Sequence, residues 1–465
     1  MKHIFIKKAV QLSLKVRCYT AVYCILILTI SIVRVFDNTV SREKLPLIFR
    51  SKSLLKMRGW QNRSILVLEK TGLLEDLFAV ARQDKNEFPP LIIIPRFFIN
   101  ILAEFYLSAS QQNDFLTPVE YNEREHQNYR DMLQQVIPRV ANRFGTTLVI
   151  SANYTYCNER DIQEIAATNF LRVIVLYKES FMSEADSNNV IKLLSSSRPF
   201  TGSRILVYNK SEENRQISSL AVRKNQICVT GSARFDELIG EAKSQIHIGD
   251  ATIVFFVHDF IPDGDIWYRD QERNKFRIES NEEINKGLAI FLRAADLFPQ
   301  LNFLIKTKVT VATMKYVKEQ LDPYQLPPNL ELILGNGLAH GVLSNCVGAL
   351  GFNTTALIDA VAVGAQIARL DTAKEKNGRG GASGSQNKEY LIDYQGVAST
   401  IWNYESFESW LMEIVGGVSS SGFIKRQISP DGKELLEGTV GNSDGKAANR
   451  VLNELKSVDR DILYG

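Results

Sequence analysis

The sequence predicts an α/β protein made of two Rossmann-like, doubly wound domains facing a cleft, with an N-terminal apolar helix ahead of them. Three observations predict it. The chain has 465 residues, too many for one ordinary core. Short apolar runs recur along it, and helical periods fall between them. The runs are Ile65–Leu68, Leu91–Ile94, Leu148–Ser151, Val173–Tyr177, Ile227–Thr230, Thr252–Val257, Phe303–Lys306, Leu330–Leu334, Val347–Leu350 and Gln366–Leu370. Most are continuously apolar, as parallel strands buried on both faces require. Leu73, Leu74, Leu77, Phe78 and Ala81 line one helix face, and Ile284, Leu288, Phe291, Leu292 and Ala295 another. Ten strands exceed one mononucleotide-binding fold, so the chain divides near Glu241–Asp250. The expected domains are 60–245 and 246–440, with a C-terminal helix in 441–465 packing back on the first. The segments 371–388 and 416–422, rich in Gly and Ser, read as a surface loop and a second flexible connection.

Charge is distributed unevenly. The whole chain is +3, but residues 1–50 hold nine Lys/Arg and two acids (+7), and the other 415 hold 46 and 50 (−4). An acidic body excludes a nucleic-acid binder, which needs a basic face. Five scattered cysteines without a C-x-x-C pair exclude a disulfide scaffold and a zinc ribbon. The uncharged run 18–33 would span about 24 Å as a helix, short of a hydrocarbon core of about 30 Å. It can cross with snorkelling ends, lie in the interface, belong to a leader peptide, though no A-x-A site follows Val33, or be a buried helix of the globular body. Basic flanks favour a membrane-associating segment over 1–45, placing the protein at the cytoplasmic membrane face, monotopic or single-pass through 18–36.

Open parallel sheets bind ligands beyond the carboxyl ends of their strands, so residues just after the runs are the site candidates. After Leu350, Gly351 permits a tight turn, Asn353, Thr354 and Thr355 open a helix, Asp359 lies one turn in, and Gly364 closes it. A helix start with free N–H groups and hydroxyls suits an anion; an ordinary capped turn fits the same residues. After Ile227, the run Thr230-Gly231-Ser232 precedes Arg234 and Asp236, where Arg234 can fork onto phosphate or pair locally. Lys178-Glu179 follows a strand as cleft residues or a solvated ion pair. Lys306, in FLIKTK, can hold diphosphate charge. His258 ends the first run of the second half.

Together these stretches resemble the GT-B glycosyltransferases of bacterial surface-polysaccharide synthesis, a set that includes CDP-glycerol glycerophosphotransferase-like proteins. The resemblance runs over about residues 63–455. VTGSARFD at 229–236 is similar to the family's V-x-G-x-P-R-x-D, and GFNTTALIDA at 351–360 to its G-x-x-S-T-x-x-x-E-A. The resemblance implies a nucleotide-sugar donor in the C-terminal half and a glycan or lipid-linked acceptor in the N-terminal half. Ser232, Arg234, Lys306, Asn353, Thr354, Thr355 and Asp359 would bind donor. Ala233 replaces the family's proline, Asp359 its longer glutamate, and K-T-K its K-P-H-P, leaving His340 as a substitute imidazole. Transfer would need a general base, for which Glu69, Glu179 and His258 are the candidates. The leaving charge can be met by helix ends, Lys and Arg, so no metal or other cofactor is expected. Asp263-Gly264-Asp265 reads as a solvated loop. The alternatives are a glycerol- or ribitol-phosphate transferase with a CDP-linked donor, a UDP-sugar 2-epimerase, and an inactive assembly partner.

Overall fold

The computed structural model describes residues 2–16, 18–33, 64–70, 72–84, 88–112, 116–179, 184–242, 244–258, 260, 271–308, 310–335, 339–352, 354–371, 394 and 396–464. Helices α1 (Lys2–Lys15) and α2 (Tyr19–Thr29) and strand β1 (Ser31–Val33) open the chain. The first half continues through β2 (Ser64–Leu68), α3 (Leu73–Gln83), β3 (Leu91–Ile94), α4 (Arg96–Tyr106), α5 (Glu123–Phe144), β4 (Thr146–Ser151), α6 (Cys157–Thr168), β5 (Arg172–Tyr177), α7 (Glu184–Ser196), β6 (Arg204–Val207), α8 (Lys210–Ser218), β7 (Ile227–Val229) and α9 (Phe235–Glu241). The second half holds β8 (Gln245–His247), β9 (Thr252–Val257), α10 (Gln271–Leu297), β10 (Asn302–Thr307), α11 (Val311–Leu321), β11 (Leu330–Ile333), β12 (Cys346–Gly351), α12 (Ala356–Ala362), β13 (Gln366–Leu370), β14 (Ser399–Ile401) and β15 (Phe423–Lys425).

The first sheet runs β1-β3-β2-β4-β5-β6-β7, all parallel except β1, which lies antiparallel to β3. The second runs β11-β10-β9-β12-β13-β14 and is parallel throughout. Strand order reverses between β2 and β4 in the first sheet and between β9 and β12 in the second. Those are the two crevices where a doubly wound sheet accepts a ligand. Every residue of β2 and of β3 is buried, as their unbroken apolar sequences require.

The apolar run at 18–33 does not form one membrane-length helix. Its helix is 11 residues long, and Ser31–Val33 joins the first sheet as an edge strand. Val22 and Leu26, with Val10 and Leu14 of α1, pack among Phe98, Tyr129 and Val136 of the first domain. Among the described residues no helix is long and apolar enough to cross a membrane. One stripe of the run is occupied in the domain core. The stretch 416–422 is likewise not a loose connection. Ser419 and Phe423 exchange a backbone bond across a turn that leads into β15, which pairs with β8.

The C-terminal helix, Ala447–Tyr464, lies on the first domain, with Ala448, Val451, Leu452 and Leu455 in the same core cluster as Leu73 and Leu77. The chain therefore crosses between the halves twice, and the two crossings are clasped together. Asp236 accepts from the amides of Ala447 and Ala448 (both 3.0 Å) and from Asn442 Nδ2 (2.7 Å). Arg450 donates to the Thr230 carbonyl (2.7 Å) and the Gly441 carbonyl (3.1 Å). Gly441 sits at φ +59°, and a Cβ there would lie 1.6 Å from the Tyr208 carbonyl oxygen. Gly441→Ala is therefore expected to lower the unfolding free energy by at least about 2 kcal/mol, because fixed backbone must yield. Urea denaturation of the purified variant checks this, and an unchanged midpoint would refute the clasp as drawn.

Candidate functional site

Two polar groups of residues assemble at the carboxyl ends of the strands, one in each half. In the second half, His258 follows β9, and its ring lies 5.0 Å from that of Phe352, which follows β12. These are the two strands that flank the crevice. Thr354 comes next, and its turn is pinned from the far side of the 371–393 excursion. The Tyr394 hydroxyl donates to the Thr354 carbonyl (2.7 Å) and accepts from its amide (3.2 Å). Thr354 is buried and Thr355, the residue before α12, is exposed. Lys306 ends β10 with its ammonium buried, donating to the Thr307 carbonyl at 2.8 Å. Burial lowers its pKa, so an incoming anion would stabilise the charged form. Asn353 and the Asp263-Gly264-Asp265 segment lie outside the described residues, as does the His340 side chain.

In the first half four consecutive strands supply neighbours. Glu69, after β2, accepts the Arg96 amide (2.8 Å) at the start of α4. Arg96 pairs with Glu159, a fully buried carboxylate in the first turn of α6. Its guanidinium also lies 5.2 Å from the Tyr156 ring centroid, and Lys70 Nζ lies 4.5 Å from the same centroid. The Tyr156 hydroxyl donates to Glu179 (3.0 Å) after β5, and Lys178 stands 3.8 Å from Glu179. Glu69 and Glu179 are thus near neighbours through Arg96 and Tyr156, whereas His258 belongs to the other half.

Arg234 links the two groups. A Cβ at Gly72, just after β2, would lie 2.8 Å from its guanidinium and 3.9 Å from Lys178 Cδ; Gly72 also has φ +86°, so glycine is required there on two grounds. Burial opposes the Arg234 charge, but Tyr208, Asp359, Asp76 and Glu75 hold its pKa above the ordinary value. Asp359 belongs to α12 of the second half. Burial pushes its pKa up to about 6; Arg234 opposes that shift and Asp76 reinforces it. Ser232 does not present a free hydroxyl to a ligand: it is buried and donates to Asp76 (3.0 Å), which also accepts the Arg234 amide (2.8 Å).

Sequence reading missed Asp76, Arg96, Tyr156, Glu159 and Tyr394. Arg96 carried a usable signal, since it stands two residues beyond the run Leu91–Ile94. Glu159 and Asp76 lie inside helices, where nothing local separates them from surface carboxylates.

No family model matches the chain, and no curated protein matches it. Solved structures similar to it include a UDP-GlcNAc 2-epimerase from Methanocaldococcus jannaschii, at 12% identity and TM-score 0.48, covering 85% of this chain and 99% of that one. A UDP-GlcNAc 2-epimerase from Neisseria meningitidis bound to UDP-GlcNAc gives 13% and 0.45, covering 85% and 100%. Anabaena Alr3699/HepE in complex with UDP-glucose gives 10% and 0.41, covering 85% and 99%. Likeness at this level concerns the course of the chain and carries nothing about the reaction.

The Asp359–Arg234 coupling makes a signed prediction. A carboxyl raised from 3.8 to about 6 in the folded state contributes stability that is complete below pH 3.8 and lost as pH rises through 6. The stability difference between the native chain and Asp359→Asn should therefore move against the native chain, by on the order of 3 kcal/mol, between pH 4 and pH 6.5. Arg234→Gln should raise the Asp359 pKa further. Urea denaturation across that range and carboxyl-carbon NMR titration check the two statements; a flat difference would remove the coupling.

Proposed function

We propose that the chain acts on a nucleoside-diphosphate sugar bound across the cleft, with the diphosphate held by the second half and the sugar presented to the first. The observation that carries this reading is the meeting of Arg234 and Lys178 at Gly72, next to the Glu69–Arg96–Tyr156–Glu179 group, while Lys306, Thr354 and Thr355 lie at the carboxyl ends of second-half strands. A diphosphate carries charge that Lys306 and Arg234 can meet. A sugar in the first crevice would meet carboxylates oriented by hydrogen bonds rather than by water.

Two reactions suit such a site. Epimerisation at C2 removes the C2 proton as the C1–O bond to the diphosphate breaks, the electron pair forming a C1–C2 double bond; a proton then returns to the other face of C2 as the nucleoside diphosphate re-adds to C1, so the reaction needs two acid–base groups on a single ring. Glu179, held by the Tyr156 hydroxyl, and Glu69 or Glu159, held by Arg96, supply such a pair. That abundance favours the 2-epimerase reading. Transfer to a glycan or lipid-linked acceptor, or of glycerol or ribitol phosphate from a CDP-linked donor, needs one base only. Glu179 is then the group to accept the acceptor's proton, while Arg234 and Lys306 stabilise the departing phosphate charge.

The test uses the full chain with UDP-GlcNAc, UDP-glucose and CDP-glycerol. A bound donor at about 100 times its dissociation constant should stabilise the fold by roughly 2.7 kcal/mol, and Arg234→Gln with Lys306→Gln should abolish that gain. Proton NMR in heavy water then separates the reactions. Deuterium entering C2 of the recovered nucleotide sugar, with inversion there and no dependence on an acceptor, is epimerisation, abolished by Glu179→Gln; net nucleotide release that depends on an acceptor is transfer. Neither stabilisation nor turnover with any of the three would overturn the reading and leave a non-catalytic partner.

A further inference from the structure

The hairpin of α1 and α2 presents an exposed stripe on the side away from its buried residues. On each helix the stripe opposite the buried one is exposed. In α1, Val10 and Leu14 are buried, while Lys8, Leu12 and Val16 follow one another four residues apart on the outside. In α2, Val22 and Leu26 are buried, and Cys24 and Leu28 are exposed. Leu12 is 65% exposed, Val16 68% and Leu28 80%. No charged residue occurs in 18–33. A helix apolar all round is ordinarily enclosed on every side, yet α2 is exposed at Cys24 and Leu28.

Charge identifies what lies on the other side. Residues 1–63 hold thirteen Lys/Arg and two acids (+11), and residues 64–465 hold 42 and 50 (−8). Lys7 is tied to Glu104 of α4 at 2.8 Å and Arg139 of α5 donates to Thr20 at 3.3 Å, so the hairpin is fixed to the acidic body. Lys8 and Lys15 point to solvent beside the exposed leucines and valine. A nucleic acid would use the charge but not Leu12, Val16 and Leu28. A second copy would set Lys8 and Lys15 against the same two lysines. An anionic bilayer uses both features: headgroups meet the lysines and the acyl boundary meets the apolar stripe.

We propose that the α1–α2 hairpin docks in the plane of an anionic lipid surface, through Leu12, Val16 and Leu28 with Lys8 and Lys15 around them, while the buried stripes hold the first domain beneath it. The protein then rests on the membrane without entering it. This placement is independent of the reaction in the cleft.

The experiment is co-sedimentation of the full chain with phosphatidylcholine vesicles, with and without about one-third phosphatidylglycerol. The native chain should bind the anionic vesicles only, and less as salt rises. Leu12→Gln with Val16→Gln and Leu28→Gln leaves the charge unaltered and should weaken binding roughly tenfold or more. Lys8→Gln with Lys15→Gln should weaken it by a smaller factor. Melting temperatures and the nucleotide response of both variants verify that the domain is intact. Binding undiminished in the first variant would overturn the proposal in favour of charge alone, as with any polyanion. So would native chain that ignores anionic vesicles, or native dimers that the first variant converts to monomers without vesicle binding.

Discussion

The cleft depends on one buried carboxylate. Asp76, in the first turn of α3, is 1% exposed and accepts from the Tyr208 hydroxyl (2.7 Å), the Ser232 hydroxyl and the Arg234 amide. Those donors follow β6 and β7, so a single side chain ties two segments to the start of α3. The arrangement is costly to break, because removing one partner leaves the others buried and unsatisfied. Its consequence is positional. With its backbone amide held by Asp76, Arg234 is carried to the Gly72 turn on one side and toward Asp359 of the other half on the other. The Asp236–Ala447–Asn442 clasp fixes the second crossing of the chain beside the first. Apolar packing joins the halves as well: Phe235, Leu238 and Ala242 at α9 share one buried cluster with Val254, Phe256 and Leu357 of the second half.

The same economy of buried charge recurs inside the first domain. Helix α6 buries Glu159, Arg160, Asp161 and Glu164 in succession. Asp161 meets the His126 ring at 2.6 Å and Arg130 at 3.2 Å, and Glu164 meets Arg198 at 2.6 Å. The Tyr121 ring stacks on His126 at 4.1 Å and lies under Arg198. Such a network contributes little net stability over an apolar core of the same volume. It does fix orientation: α6 cannot turn about its axis without breaking several charged pairs at once. Glu159 and Tyr156 at the head of α6 inherit that fixity, which is what a site acting through aimed carboxylates requires.

Much of the fold was legible from period and composition. All ten apolar runs are strands, and both helical faces named from spacing are helices. What escaped was short or peripheral. RILV at 204–207 is a central strand of four residues opening on Arg204, and β14 is an edge strand of three. The apolar tail misled for a related reason: hydropathy counts residues but does not show that Val22 and Leu26 are spent on the domain. The site was legible in part. His258, Glu69 and Glu179 follow strands and Lys306 is the next-to-last residue of β10, and that rule is topological, so it needed no contacts. Asp76 and Glu159 obey no such rule. They matter because of what lies opposite them far away in the chain, Arg96 for Glu159 and Ser232, at a separation of 156, for Asp76.

The departures from the glycosyltransferase-like pattern acquire a physical sense in this setting. Ala233, where the pattern has proline, is 1% exposed and packs in the cluster that includes Ala448, Val451 and Leu452 of the returning helix. The residue there serves the junction between the halves. Asp359 is one methylene shorter than the glutamate it replaces, and its surroundings explain the shorter arm: it is buried in α12 and shares Arg234 with Asp76, so its partner lies across the cleft. The segment at Lys306 lacks the pattern's histidine, yet His258 closes the adjacent strand β9 and stands against Phe352 at the crevice. The carboxylates of the first half, Glu159 and Glu179, stand beside cations of the same half, Arg96 and Lys178, and Arg234 is the cation of that half whose field reaches Asp359 in the second.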